Sequence, residues 1–188
     1  FTAADFELIA SIAKEQAGIV IRAHKMAMIR GRLLRRLRAL HLRSVTEYCE
    51  LLRGPDADRE LPQLLNVLTT NHTAFFRERH HFEFLAAHYA AHPTPGGRLQ
   101  AWSAGCSTGE EPYSIAITAM QACASRAPPV TILATDIDTA VQAKARAGIY
   151  RDEAVARLEP ALLKAYFLRG RGANAGLVRV QPDVQALV

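Results

Sequence analysis

The stretch "WSAGCSTGEEPYSIAIT", residues Trp102 to Thr118, fits two opposed chemistries. Gly105-Cys106-Ser107-Thr108-Gly109 matches G-x-S-x-G, the turn that presents a nucleophilic serine in α/β-hydrolases. It also fits a glycine-containing turn that lets the backbone approach a cofactor above a parallel sheet. The hydrolase order requires an acid and then a histidine downstream of the serine. His24, His41, His72, His80, His81, His88 and His92 all precede Ser107. The chain therefore cannot complete that triad. Two readings stay open: a cofactor turn, or an ordinary strand–helix turn whose helix N-terminus is capped by acids.

The flanks supply the fold. Leu99 to Ala104 reads as a short buried strand, and Val130 to Thr135 as a second continuous apolar strand ending at Asp136. Between them, Pro112 suits the first turn of a helix running to about Ser125, which "RAPP" ends. Thr139 to Ala147 is helical again. Strand, helix, strand, helix at this spacing is a βαβ unit with a parallel sheet. Asp136 then stands where an acidic side chain can accept hydrogen bonds from two ribose hydroxyls. The turn is not G-x-G-x-x-G, and Glu110 and Glu111 flank it. Two carboxylates repel a pyrophosphate. They suit a cofactor with positive charge and no phosphate, and S-adenosylmethionine, with its amine and sulfonium, is such a molecule.

Upstream, the chain reads as helices. Thr2 with Asp5 resembles a capping box, and Phe6, Ile9, Ile12 and Ala13 share a face before Gly18. A long helix from about Lys25 to Leu42 carries Met26, Ile29, Leu33, Leu37 and Leu40 as its apolar stripe. Ser44 to Glu47 is a second capping box opening a short helix through Leu52, and "RGPDAD" interrupts the pattern. Leu61, Leu64, Leu65 and Leu68 mark a further helix, and Glu78 to His92 one more. "HPTPGGR" is the clearest linker. The expected domains are residues 1–92, helical, and 99–188, joined by 93–98. From Tyr166 onward short strands alternate with glycine turns.

Charge is unevenly placed. The formal net charge is +5, yet Gln16 to Thr46 holds no acid and eight cations: Arg22, Lys25, Arg30, Arg32, Arg35, Arg36, Arg38 and Arg43. The remaining 15 basic and 18 acidic residues leave the rest at −3. A local basic helix implies an acidic partner. Surface helices usually mix signs, so a merely solvated face explains this run less well. Nucleic acid is disfavoured, because the stretch has no interleaved aromatics and the rest of the chain is negative. No apolar run reaches the ~18 residues of a membrane span. Cys49, Cys106 and Cys123 form no C-x-x-C pair, which fits a reducing cytoplasm and argues against a zinc site or disulfide scaffold. His88 and His92 have the spacing of a metal pair but no third ligand, so no metal is expected.

Three stretches carry a resemblance: "LTTNHTAFFRERHHFEFL" (Leu68–Leu85), "WSAGCSTGEEPYSIAIT" and "ATDIDTAVQAKARAGIYR" (Ala134–Arg151). In this order and spacing they resemble the CheR-type chemoreceptor glutamate O-methyltransferases. "YFLRGRG…GLVRV" (Tyr166–Val180) is similar to the start of that family's small β-subdomain. The resemblance implies an α + α/β fold: a small N-terminal all-helical domain, then a Rossmann-like methyltransferase domain with the start of an antiparallel β-subdomain. It implies methyl transfer from S-adenosylmethionine to glutamates on the cytoplasmic helical region of membrane chemoreceptors, leaving S-adenosylhomocysteine. Carried over, it places Asn71, Thr73 and Arg77 near the methionine end of the cofactor and Glu111, rather than Glu110, on its amino-acid part. Asp136 takes the ribose. Arg77 is also the candidate to hold the acceptor carboxylate, its plain alternative being an ion pair with Glu78 or Glu83. Arg32, Arg35, Arg36 and Arg38 are the candidate receptor contacts. The family continues with an adenine-holding segment and a further strand that this sequence does not contain. The expectation is therefore a truncated chain, with a non-catalytic receptor-binding module or inactive fragment as the alternative.

Overall fold

The computed structural model describes residues 1–91 and 97–188, so His92 and most of the 93–98 linker lie outside the described residues. The chain forms two compact units: residues 1–70 with Ile137–Thr139, and residues 71–136 with 140–188.

The first unit is a four-helix cluster. Helix α1 (Ala3–Ala17) starts at a full Thr2–Asp5 capping box and ends at Gly18, whose φ of 67° suits glycine. Helix α2 (Met26–Ala39) buries Ile29, Leu33 and Leu37. Its first expected residue, Lys25, closes a 3₁₀ turn instead. Helix α3 (Val45–Arg53) is capped by Ser44, which accepts from the Glu47 N–H at 3.1 Å. The Glu47 carboxylate turns to the Arg43 N–H rather than completing a box. Helix α4 (Ala57–Leu68) buries Leu64 and Leu68. These faces meet in one core around Ile9, Leu33, Tyr48 and Leu64. Thr69 donates to Asp138, and Asn66 bonds the Thr139 N–H, which ties Ile137–Thr139 into this unit.

The second unit begins at Asn71, earlier than the linker suggests. Its helix α5 (Arg79–Ala91) buries Phe82 and Tyr89, and Tyr89 joins the core of this unit rather than that of the helical cluster. Strands β1 (Leu99–Ala104) and β2 (Val130–Thr135) pair in parallel, Leu99 opposite Val130 through Ala104 opposite Thr135. Helix α6 (Glu110–Ala122) crosses between them, and α7 (Thr139–Ala147) follows β2. The expectation of a buried strand at Leu99–Ala104 is corrected, and the apolar run of β2 is likewise covered on one face only. Ser103, Val130 and Ile132 are buried, whereas Trp102 is 67% and its partner Leu133 59% exposed. An apolar run cannot show by itself that only one face is covered.

Strands β3 (Ile149–Arg151), β4 (Phe167–Arg169) and β5 (Leu177–Val180) form a separate antiparallel sheet in the order β3-β5-β4. This subdomain thus begins at Ile149, not near Tyr166. A three-residue strand is too short to show alternation in the sequence. Short helices α8 (Asp152–Val155), α9 (Pro160–Tyr166) and α10 (Pro182–Gln185) complete the unit. Its core centres on Ile117, Met120, Val180 and Val184.

Candidate cofactor site

The turn after β1 is pinned to the end of β2. The N–H groups of Gly105 and Cys106 both donate to the Thr135 carbonyl at 2.8 Å. Gly105 and Gly109 adopt φ of 84° and 99°. A Cβ on Gly109 would meet the Tyr150 hydroxyl at 2.8 Å and Ala145 Cα at 2.9 Å, so no other residue fits. Tyr150 also donates to the Thr108 carbonyl at 2.8 Å. β1 and β2 are parallel, so the turn and Asp136 lie beyond the same carboxyl ends, where α/β sheets bind ligands.

Asp136 accepts the Ser107 N–H at 2.8 Å, and Gln142 donates to its backbone carbonyl at 2.6 Å. The two glutamates separate. Glu110 is buried and accepts from the Thr108 hydroxyl at 2.6 Å. Glu111 is exposed, with the Ser103 hydroxyl of β1 donating to it at 2.7 Å. Residues 102–118 contain no lysine or arginine. This set of acceptors fits a cation and a diol and repels phosphate.

Ser107 completes the rejection of a nucleophile. It is buried, and its hydroxyl has no partner among the described residues. Cys106 is buried too, and burial, reinforced by Asp136 and Glu111, pushes its thiol pKa up. A thiol held protonated is a poor nucleophile.

The Asn71–Glu78 loop belongs to the same unit. Thr73 is half-buried, while Asn71 and Arg77 are exposed. Arg77 Nη1 donates to the His72 carbonyl at 2.8 Å, and its backbone N–H to the Ala74 carbonyl at 3.3 Å. The ion pair with Glu78 or Glu83 does not form; Arg79 takes Glu83 at 3.0 Å. Phe76 and Glu78, on either side of Arg77, have φ of 53° and 56°. For such residues this costs roughly 1–2 kcal/mol each. Phe75 sets its ring edge-on to Tyr150 and Phe167, at 5.0 and 5.2 Å between centroids, so it is core rather than cofactor lining.

Sequence reasoning missed Ser103, Ser114 and Tyr150. Ser114 accepts the Phe76 N–H at 3.0 Å. The available signal was a serine at a core position of a helix, flanked by Tyr113, Ala116 and Ile117.

The basic helix divides its arginines. Arg32 reaches the end of α4, donating to the Leu68 and Thr69 carbonyls at 2.9 and 2.6 Å and to the Thr70 hydroxyl at 2.8 Å. Arg36 makes a two-pronged contact with Glu60, at 2.7 and 2.5 Å, and Tyr48 donates to the same carboxylate at 2.7 Å. Arg35 and Arg38 are exposed. Among the described residues no His/Cys/Asp/Glu group could hold a metal ion, and no helix is long and apolar enough to cross a membrane.

A helical cluster is followed in the chain by a Rossmann-like unit with an acid-flanked turn at its strand ends, the class of fold that binds nucleoside cofactors. Residues 71–188 match the CheR methyltransferase SAM-binding domain, and residues 4–69 the CheR methyltransferase all-alpha domain. The chain belongs to the CheR methyltransferase family. It is 47% identical to a chemotaxis protein methyltransferase of Klebsiella aerogenes, across 98% of this chain and 63% of that protein. For the Escherichia coli chemotaxis protein methyltransferase the values are 45%, 96% and 62%. For chemotaxis protein methyltransferase 2 of Pseudomonas aeruginosa they are 44%, 100% and 66%. The chain thus spans a little under two thirds of the length of these curated relatives.

Proposed function

We propose that the chain is the cofactor-binding and receptor-recognising part of a cytoplasmic enzyme that methylates glutamate side chains on chemoreceptor helices. The observation that carries this is the set of carboxylates around a cation-free turn in a chain of the CheR family. Asp136 takes the ribose hydroxyls. Glu111, exposed and steadied by Ser103, takes the amino-acid end, while Glu110 spends its charge on Thr108. Asn71 and Thr73 approach the methionine end. When bound, S-adenosylmethionine supplies an electrophilic methyl group.

The acceptor glutamate is ionised near pH 7, its ordinary pKa being about 4.3, so no strong general base is required. Arg77 releases the His72 carbonyl and holds the acceptor carboxylate, offsetting its desolvation. The chain's main contribution is then alignment of nucleophile and electrophile. Arg35 and Arg38 meet the acidic receptor helix. Arg32 and Arg36 hold α2 on α4 through their internal contacts.

Calorimetric titration of the chain with S-adenosylhomocysteine, repeated with Asp136→Ala, tests the site. Binding by the wild type that the variant loses supports the assignment. A folded wild type that does not bind refutes the cofactor site in this chain.

A further inference from the structure

Ser114 lies in the second turn of α6, fully buried. Its Oγ donates to the Glu110 carbonyl at 2.6 Å, the common back-bond of a helical serine. The same oxygen accepts the Phe76 N–H at 3.0 Å, a bond to a residue 38 positions earlier. One hydroxyl therefore joins the first turn of α6, which carries Glu110 and Glu111, to the backbone next to Arg77.

That backbone needs an anchor. Phe76 and Glu78 both hold φ near 55°, a region that side chains other than glycine keep only when their surroundings over-determine it. The Phe75 and Phe76 rings are fixed by Tyr150, Phe167 and Phe82. Ring contacts locate side chains, but they do not set the rotation of the peptide between Phe75 and Phe76. The Ser114 acceptor does, because an N–H donor must point at it. Rotating that peptide redirects Arg77.

We infer that Ser114 is a positioning residue for the Asn71–Glu78 loop, fixing the direction in which Arg77 leaves the backbone relative to the acidic start of α6. The inference rests on the cofactor-site reading for its functional consequence, though not for its structural one. Without the hydroxyl, the part-buried Phe76 N–H loses its acceptor and the loop can relax out of its left-handed conformation.

The test compares Ser114→Ala with Thr118→Val in the full chain. Thr118 is a fitting control: it is buried and back-bonds to the Ser114 carbonyl at 2.8 Å one turn later. The first readout needs no ligand: the rate of tryptic cleavage after Arg77 or Arg79, mapped by mass spectrometry. The second is titration with S-adenosylhomocysteine. Ser114→Ala is expected to speed cleavage and weaken binding about tenfold each, ~1.4 kcal/mol, while Thr118→Val changes neither beyond twofold. Ser114→Cys keeps a weak acceptor and falls between. It also carries the test should the alanine variant fail to fold. Equal cleavage in the serine and threonine variants overturns the inference. A wild type that does not bind refutes the cofactor reading, and the cleavage arm still decides the role of Ser114.

Discussion

Arg36→Ala separates folding from docking on the basic helix. The Glu60 side chain is 6% exposed and that of Arg36 25%, and Tyr48 shares the carboxylate. Removing the arginine leaves a buried carboxylate with one neutral donor. Breaking such a pair costs roughly 3–5 kcal/mol when fully buried. Partial exposure of the arginine puts the expected loss near the lower end, about 3 kcal/mol. For a unit of this size that lowers the melting temperature by roughly 12 °C or more. Arg35→Ala, on the exposed side of the same turn, should cost under about 0.5 kcal/mol. The assay is thermal unfolding followed by circular dichroism at pH 7, with binding to an acidic receptor-helix fragment measured on both variants. Acid supplies an independent check. Burial pushes the Glu60 carboxyl up, but hydrogen bonds from Arg36 and Tyr48 and the Arg36 charge outweigh it, leaving the pKa below its ordinary value. A depressed carboxylate contributes stability that is present above the unfolded pKa of about 4.3 and lost as pH falls through the folded one. The wild-type advantage over Arg36→Ala should therefore shrink below pH 4. Equal melting temperatures for Arg35→Ala and Arg36→Ala would refute the structural assignment of Arg36.

Gly109→Ala should lose S-adenosylhomocysteine binding altogether and destabilise the chain by about 2 kcal/mol or more, since a Cβ collides with Ala145 at a φ of 99°; calorimetry and melting check it. Thiol labelling of the native chain should modify half-buried Cys123 well before Cys49 and Cys106, which are both buried. Burial pushes Cys49 up to about 11 and raises Cys106 as well. Because both thiols are raised in the fold, stability should hold below the unfolded thiol pKa of about 8.5 and decline as pH rises above it, as a pH series of melts would show. Trp102 is the sole tryptophan and is largely exposed, so acrylamide should quench its fluorescence almost as in the unfolded chain; strong protection would mean that this sheet face is covered.

Secondary structure was legible wherever one local period dominated. The bounds of β1 and β2 follow from their apolar runs and breakers, and Thr2 with Asp5 announces the start of α1. The unit boundary was not legible, because the proline-rich linker is a stronger local signal than the packing of Tyr89 into the second core. β3 was missed because it buries its residues against partners distant in sequence, Tyr150 against Val178 for instance. Around the turn, the position of Asp136 just beyond β2 could be placed from the end of the apolar run. Ser103, Ser114 and Tyr150 could not, since each acts through a hydrogen bond to a residue far along the chain or on another element. The split within the basic helix was equally hidden. Arg32, Arg35, Arg36 and Arg38 look alike in sequence, and only the arrival of α4 with Glu60 and its C-terminal carbonyls distinguishes them.

Acids at the start of α6 do not by themselves imply a ligand, because the helix dipole rewards any carboxylate there by about 0.3–1 kcal/mol. What separates capping from binding is how each carboxylate is used. Glu110 is buried with its charge directed at the Thr108 hydroxyl, so it serves the turn itself. Glu111 is one residue further on, exposed, and held by a hydroxyl of β1. A cap would not need the strand to hold it. The proposed role does call for it, because a carboxylate that must meet a cation at a fixed place loses affinity with every rotamer it is free to visit. Ser103 supplies that restraint to Glu111 while Ser114 holds the Phe76 backbone, so these two hydroxyls fix a carboxylate and a peptide in place rather than attack.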